Sequence, residues 1–156
     1  MLFFEFHSKE LKPLKSVRRE FNKEWLLVEK EKRMSLAIKI CFLIVGLINF
    51  IPIVGVLSDQ RLNTLYGISI SSPELSILLK HRAILFGMLG GFILFAAFSP
   101  SYRPLAFILG YISMISFLLI ALTSGNYNQE ITKVVIADIV GIAVFAVATV
   151  LHFLEA

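Results

Sequence analysis

Four long apolar runs constrain what this chain can fold into. They are Leu36–Leu57, interrupted by Lys39, Asn49 and Pro52; Ala83–Phe98 and Leu105–Thr123, both free of charge; and Ile131–Leu154, which carries Lys133, Asp138 and His152. A transmembrane helix needs about 20 apolar residues to cross roughly 30 Å of hydrocarbon, and each run meets or approaches that length. Lipid offers a backbone no hydrogen-bond partner, so only helices and closed barrels span it. Barrel strands alternate apolar and polar residues; these runs do not. The fold class expected is all-α: a four-transmembrane-helix bundle with helices near 36–57, 74–98, 105–123 and 131–154. Composition agrees, with 57% apolar and only 17% charged residues, against the roughly 25% charged of a soluble domain.

Residues 1–33 differ from the 34–156 membrane domain. They hold nine Lys/Arg and six Glu, while the remainder holds six Lys/Arg and five Asp/Glu. Leu14, Val17, Phe21, Trp25 and Val28 recur at helical spacing among these charges, which predicts a basic amphipathic arm with Trp25 at headgroup level. Two readings stand side by side: an interfacial or solvated helix, or an extension preceding a natural start at Met34. The mixed charges do not read as a signal peptide. A basic arm on an apolar body fits membrane lipids as partner rather than nucleic acid. Cys41 is the lone cysteine, so no disulfide or zinc framework forms within one chain.

Orientation follows the excess of Lys and Arg. With the N-terminus inside, the arm, Lys39 and Arg103 are cytoplasmic, and Arg61, Lys80, Arg82 and Lys133 lie outside. Both termini are then cytoplasmic and the loop at 58–72 faces outward. In lipid, helices associate through small residues and hydrogen bonds. The packing positions expected are Gly87 and Gly91, a GxxxG pair, with Gly90 beside them, and Gly110 and Gly141 on the later helices. Asn49 is expected to seek a partner across the bundle. Intramolecular seams are the plain reading; a homo-oligomer or a membrane-protein partner is the alternative.

The stretch Lys80-His81-Arg82 sets three potentially cationic side chains at the lip of an apolar helix. Ser72-Pro73-Glu74 reads as that helix's start: a capping hydroxyl, a proline in the first turn, and an acid near the positive dipole end. The 16 uncharged residues that follow Arg82 rise about 24 Å, short of the hydrocarbon thickness, so Arg82 is drawn to the boundary or below it. Asp138 lies within the last apolar run, where an isolated carboxylate costs about 2.5–3.5 kcal/mol. Arg82 is its expected partner, with Lys80 and Lys133 competing, and His81 adds a group that titrates near neutral pH. Tyr66, Asn126 and Asn128 join them as a polar cluster, and Phe86 and Tyr66 are expected to line a pocket there. Either the cations reach to headgroups and one buried pair locks the bundle, or the cluster is an outward-opening ligand site.

From Met34 onward, "GLINFIPIVGVLS", "LYGISI", "ILLKHRAILFG", "SMISFLLIA" and "VVIADIVG" resemble a family of small bacterial four-helix integral membrane proteins, DoxX-like in size and layout and of no established activity. The resemblance implies a bacterial inner membrane. Such chains often carry the label phosphopantetheine adenylyltransferase, but that chemistry needs a phosphate-gripping T-x-G-H or H-x-G-H motif and a Gly-rich strand-to-helix loop, and neither is present. HExxH and Gly-x-Ser-x-Gly are absent too, and His7, His81 and His152 lack metal-ligand spacing. No cofactor or metal is implied. The function expected is a non-enzymatic membrane protein binding a lipid or small apolar ligand near Arg82 and Asp138. The alternatives are an enzyme on a lipid-like substrate using His81 and Asp138 as acid and base, or an accessory subunit of a membrane complex.

Overall fold

A computed structural model of the chain describes residues 2–155, with side chains from residue 16 onward; His7 and Leu14, named above, therefore lie outside the described side chains. The elements are α1 (Leu2–Phe50), a 3₁₀ segment (Ile51–Leu57), α2 (Asp59–Tyr66), α3 (Pro73–Phe98), a short 3₁₀ turn (Pro100–Tyr102), α4 (Arg103–Thr123) and α5 (Gln129–Glu155). No strand forms among the described residues. Four helical segments are long and apolar enough to cross a membrane: Ser16–Leu57, Pro73–Phe98, Pro100–Thr123 and Gln129–Glu155. The surface is compatible with the same environment. Leu47, Met88, Phe95, Ile112, Leu119 and Val147 are all exposed, an apolar coat far larger than the patches a water-soluble monomer shows.

The arm and the first span are one helix. No Gly or Pro interrupts residues 14–45, so nothing breaks the hydrogen-bond ladder at Met34. Among the described side chains of the arm, Val17, Phe21, Trp25 and Leu26 are exposed. A groove of about 640 Å³ borders its base, with a lining that runs from Trp25 to Ala37 and reaches Leu151 of α5. The helix ends at Phe50, just before Pro52 removes a donor and crowds the preceding turn.

The core is made of narrow seams. Ile38, Phe42, Val45 and Asn49 face inward from α1, and Ala83, Gly87, Gly90, Ile93 and Ala97 from α3. Ala106, Gly110 and Met114 do so from α4, and Gly141, Phe145 and Ala148 from α5. Gly110 admits the Phe145 ring, and Gly141 admits the Met114 sulfur. The rings of Phe42, Phe107 and Phe145 meet at 4.9–5.2 Å between centroids, which fastens α1, α4 and α5 together.

The α1–α3 contact corrects the expected GxxxG pair. A Cβ at Gly90 would lie 2.5 Å from Phe50 N and 2.8 Å from Gly46 O, both backbone atoms. A Cβ at Gly91 would meet only the Phe50 ring, at 3.9 Å. The working pair is Gly87 and Gly90, facing Ile53 and Gly46, because residue 91 turns away from the crossing. Asn49 departs as well: its amide donates to Val45 O of its own helix at 3.0 Å. A carbonyl one turn back is always within reach of a mid-helix side chain, and no partner across the bundle is required.

These contacts predict a contrast between neighbours. Gly90→Ala should lower detergent-state thermal stability by about 1–3 kcal/mol, as overpacking against backbone does. Gly91→Ala should be neutral or slightly stabilising, since it gains helix propensity. A thermal unfolding series on the two variants measures the difference.

Candidate functional site

The site is assembled by the short segments that fold back over the end of the bundle where α3 and α5 begin. Ser58 caps α2, accepting from Arg61 N at 3.2 Å, and Ser72 caps α3, accepting from Leu75 N at 3.3 Å. Gly67 closes α2 with φ +61°, and a side chain there would also press on Glu130 and Asn128. Only glycine takes that conformation freely. Asn128 then ties α2 to α5. Its amide donates to Tyr66 O at 2.7 Å and Gly67 O at 3.0 Å, while its Oδ1 accepts from Ile131 N at 2.9 Å.

Beneath α2 lies a cavity of about 300 Å³. Its apolar wall includes Ile48, Pro52, Leu65, Phe86, Val134 and Ala137, and its polar groups are Asn49, Tyr66, Arg82, Glu130, Lys133 and Asp138. The lining becomes exposed at Ile51, Thr64 and Lys133, which mark the mouth between the 3₁₀ segment, α2 and α5. A second cavity, of about 240 Å³, lies on the α4 side and shares Arg82 and Phe86 as its wall.

The three residues at the lip of α3 have three different fates. Lys80 pairs with Asp59 Oδ1 at 2.7 Å, and the Ser76 hydroxyl donates to the same oxygen at 2.6 Å. His81 is exposed and does not line the cavity. Arg82 turns inward, with its guanidinium carbon 5.6 Å from the Tyr66 ring, 5.1 Å from Phe86 and 5.0 Å from Phe117. Such contacts contribute about 0.5–2 kcal/mol each when shielded from water.

The expected Arg82–Asp138 ion pair does not close. Asp138 is only 7% exposed, yet it accepts no hydrogen bond and forms no salt bridge among the described residues. Arg82 stays near enough to act on it electrostatically, but the three rings hold the guanidinium instead. Lys133 is also committed elsewhere, reaching both Glu130 oxygens at 2.8 Å. The proposed His81/Asp138 acid–base couple fails on geometry: consecutive helical residues point about 100° apart, and Arg82 occupies the inward direction. Asn126 is exposed in the loop before α5, and Asn128 is a structural tie rather than a cavity residue.

Tyr66 and Asp59 lie on α2, outside the spans. Burial holds the Tyr66 phenol above its ordinary range, with the Arg82 cation opposing, and its hydroxyl is buried without a hydrogen-bond partner. Hydrogen bonds from Lys80 and then Ser76 hold the Asp59 carboxyl below its ordinary value.

Sequence reasoning missed two features. Phe117, the third ring around Arg82, sits on a helix whose apolar run gives no local cue. Arg103, read as a turn charge for topology, is in fact 1% exposed. Its Nη1 lies 3.6 Å from Glu155, its Nε and Nη2 find no partner, and neither does Nδ1 of His152, whose ring lies 5.9 Å from that of Phe107. These groups lie at the opposite end of the bundle, where α5 ends, away from Asp138. No group of three or more His, Cys, Asp or Glu is placed to hold a metal among the described residues. No protein-family model, curated protein or solved structure matches the chain.

Two outcomes follow. A carboxyl whose folded pKa is depressed stabilises above its unfolded value and loses that contribution as pH falls through the folded one. Wild type should therefore be more heat-stable than Asp59→Asn near neutral pH, and the two should converge as pH drops below 3.8. Glu155→Gln should cost about 1–3 kcal/mol by leaving a buried cation without its anion. Adding Arg103→Met should restore stability, because an apolar replacement removes the stranded charge; melting curves of the single and double variants check this.

Proposed function

We propose that this is an integral membrane protein that binds a lipid or small apolar ligand in the cavity beneath α2, and that it acts by binding rather than by catalysis. The observation that carries this reading is Asp138, a carboxylate in an apolar wall with no hydrogen-bond partner of its own. Burying such a group without a partner is costly. An occupant that hydrogen-bonds to it removes the cost. Arg82 supports the reading from the other wall, since its cage of rings fixes a cation without consuming its hydrogen-bond donors. A preformed, mostly apolar pocket with few convergent polar groups is the usual form of a ligand site, and the exposed mouth at Ile51, Thr64 and Lys133 gives access.

We place the bundle in a bacterial cytoplasmic membrane, on the DoxX-like resemblance. Both termini are cytoplasmic on this reading, because ten Lys/Arg precede Cys41 and Arg103 joins them, against four on the other side. The cavity then opens toward the outer face.

Asp138→Asn, purified in mild detergent, tests the reading. The expected result is that a co-purifying molecule seen by mass spectrometry with wild type is lost while thermal stability changes little. Strong destabilisation that Arg82→Gln rescues would instead make the two charges a structural couple and remove the basis for a site.

A further inference from the structure

We infer that the cavity recognises a zwitterion, a primary ammonium and a phosphate carried close together, as in a phosphoethanolamine headgroup. The inference rests on the binding reading above and names its ligand class.

Charge supplies the first step. An anion alone would meet Arg82 but also the unpartnered Asp138; Glu130 and Lys133 at the mouth are already paired with each other. A cation alone would meet Asp138 but also Arg82. Neither sign by itself is matched by the lining. A group bearing both signs is matched, with phosphate oxygens on the guanidinium and an ammonium on the carboxylate.

Hydrogen bonding narrows the class. Arg82 has donors only; its guanidinium lies 5.0–5.6 Å from three ring centroids and makes no hydrogen bond or salt bridge among the described residues, so its N–H groups are open to an oxyanion. Asp138 is acceptor-only when ionised, so the ammonium must carry N–H bonds. A primary ammonium does. A trimethylammonium does not, and the ring faces that would otherwise hold it are already occupied by Arg82.

Size and access set the rest. A volume of about 300 Å³ holds a headgroup and not two acyl chains. The mouth is flanked by Ile51, an exposed apolar side chain within the first candidate span, so chains attached to the headgroup can remain in the bilayer. The same chemistry could also arrive as a soluble phosphoethanolamine from the aqueous side past Thr64 and Lys133.

The test uses the full-length, delipidated protein in detergent. Native mass spectrometry compares equimolar phosphatidylethanolamine, phosphatidylcholine and phosphatidylglycerol of identical chains, and a parallel thermal-shift series uses free phosphoethanolamine. Wild type should retain phosphatidylethanolamine at least about tenfold over the other two, a gap of about 1.4 kcal/mol. Asp138→Asn should erase the preference over phosphatidylglycerol, and Arg82→Gln should weaken all three. A shift by free phosphoethanolamine equal to that by the lipid supports the chemistry and assigns a soluble source; a shift by the lipid alone assigns the membrane. Equal retention of all three lipids by wild type overturns the zwitterion assignment, whichever variants fold. If that equal retention is abolished by the cavity-filling Ala137→Phe, the binding reading survives without its headgroup. Retention untouched by Ala137→Phe, in a variant whose helicity matches wild type, places the lipid elsewhere and overturns both.

Discussion

Two helices in lipid gain little by hiding apolar surface from a solvent that is itself apolar, so the approach of their backbones decides whether they hold. Here that approach is the crossing of α1 and α3 at Gly46 and Gly90, where a methyl on Gly90 would collide with main-chain atoms and one on Gly46 with the Leu94 side chain. The rest of the far end is laid out from this point. With α1 clamped on α3, the chain after Phe50 is led across Gly87 through Ile53. Its 3₁₀ segment therefore becomes a wall, α2 a roof, and the space left between them and α5 a cavity. The small residues of α3 matter for what they permit next to them as much as for their own contacts.

The polar groups divide between fastening and exposure. Asp59, Ser76 and Lys80 fasten α2 to α3, and Arg103 with Glu155 fastens the opposite end. Asp138 is different, being buried without a fastening role. Its neighbour Arg82 is held by aromatic rings, an arrangement that keeps a cation in place without committing its hydrogen-bond donors to a carboxylate. Two opposite charges kept apart in one low-dielectric space produce a strong local field, and such a field orients a dipolar occupant.

The helices were legible because hydropathy over twenty residues is a local property, and so was the helix start at Ser72, whereas the first helix, expected over 36–57, gives way to a 3₁₀ segment at Ile51. That Tyr66, Phe86, Arg82 and Asp138 share one region was also readable, from depth alone. Rotation about the helix axis was not. Whether Gly90 or Gly91 faces α1, whether His81 or Arg82 faces inward, and whether Asn49 looks across or back depend on a turn of about 100° per residue that only the packed neighbours fix. Arg103 was misread for a related reason: a charge near a turn is ordinarily solvated, but this one is buried and meets Glu155, from the far end of the chain.

Asn128 has a consequence beyond tying two elements together. One amide holds the last carbonyls of α2 with its nitrogen and the first turn of α5 with its oxygen. The position of the roof is thus coupled to the integrity of a helix end, the part of any helix that frays first. When that turn unwinds, the side chain loses its anchor and α2 keeps only its other tie, from Asp59 to Lys80 and Ser76.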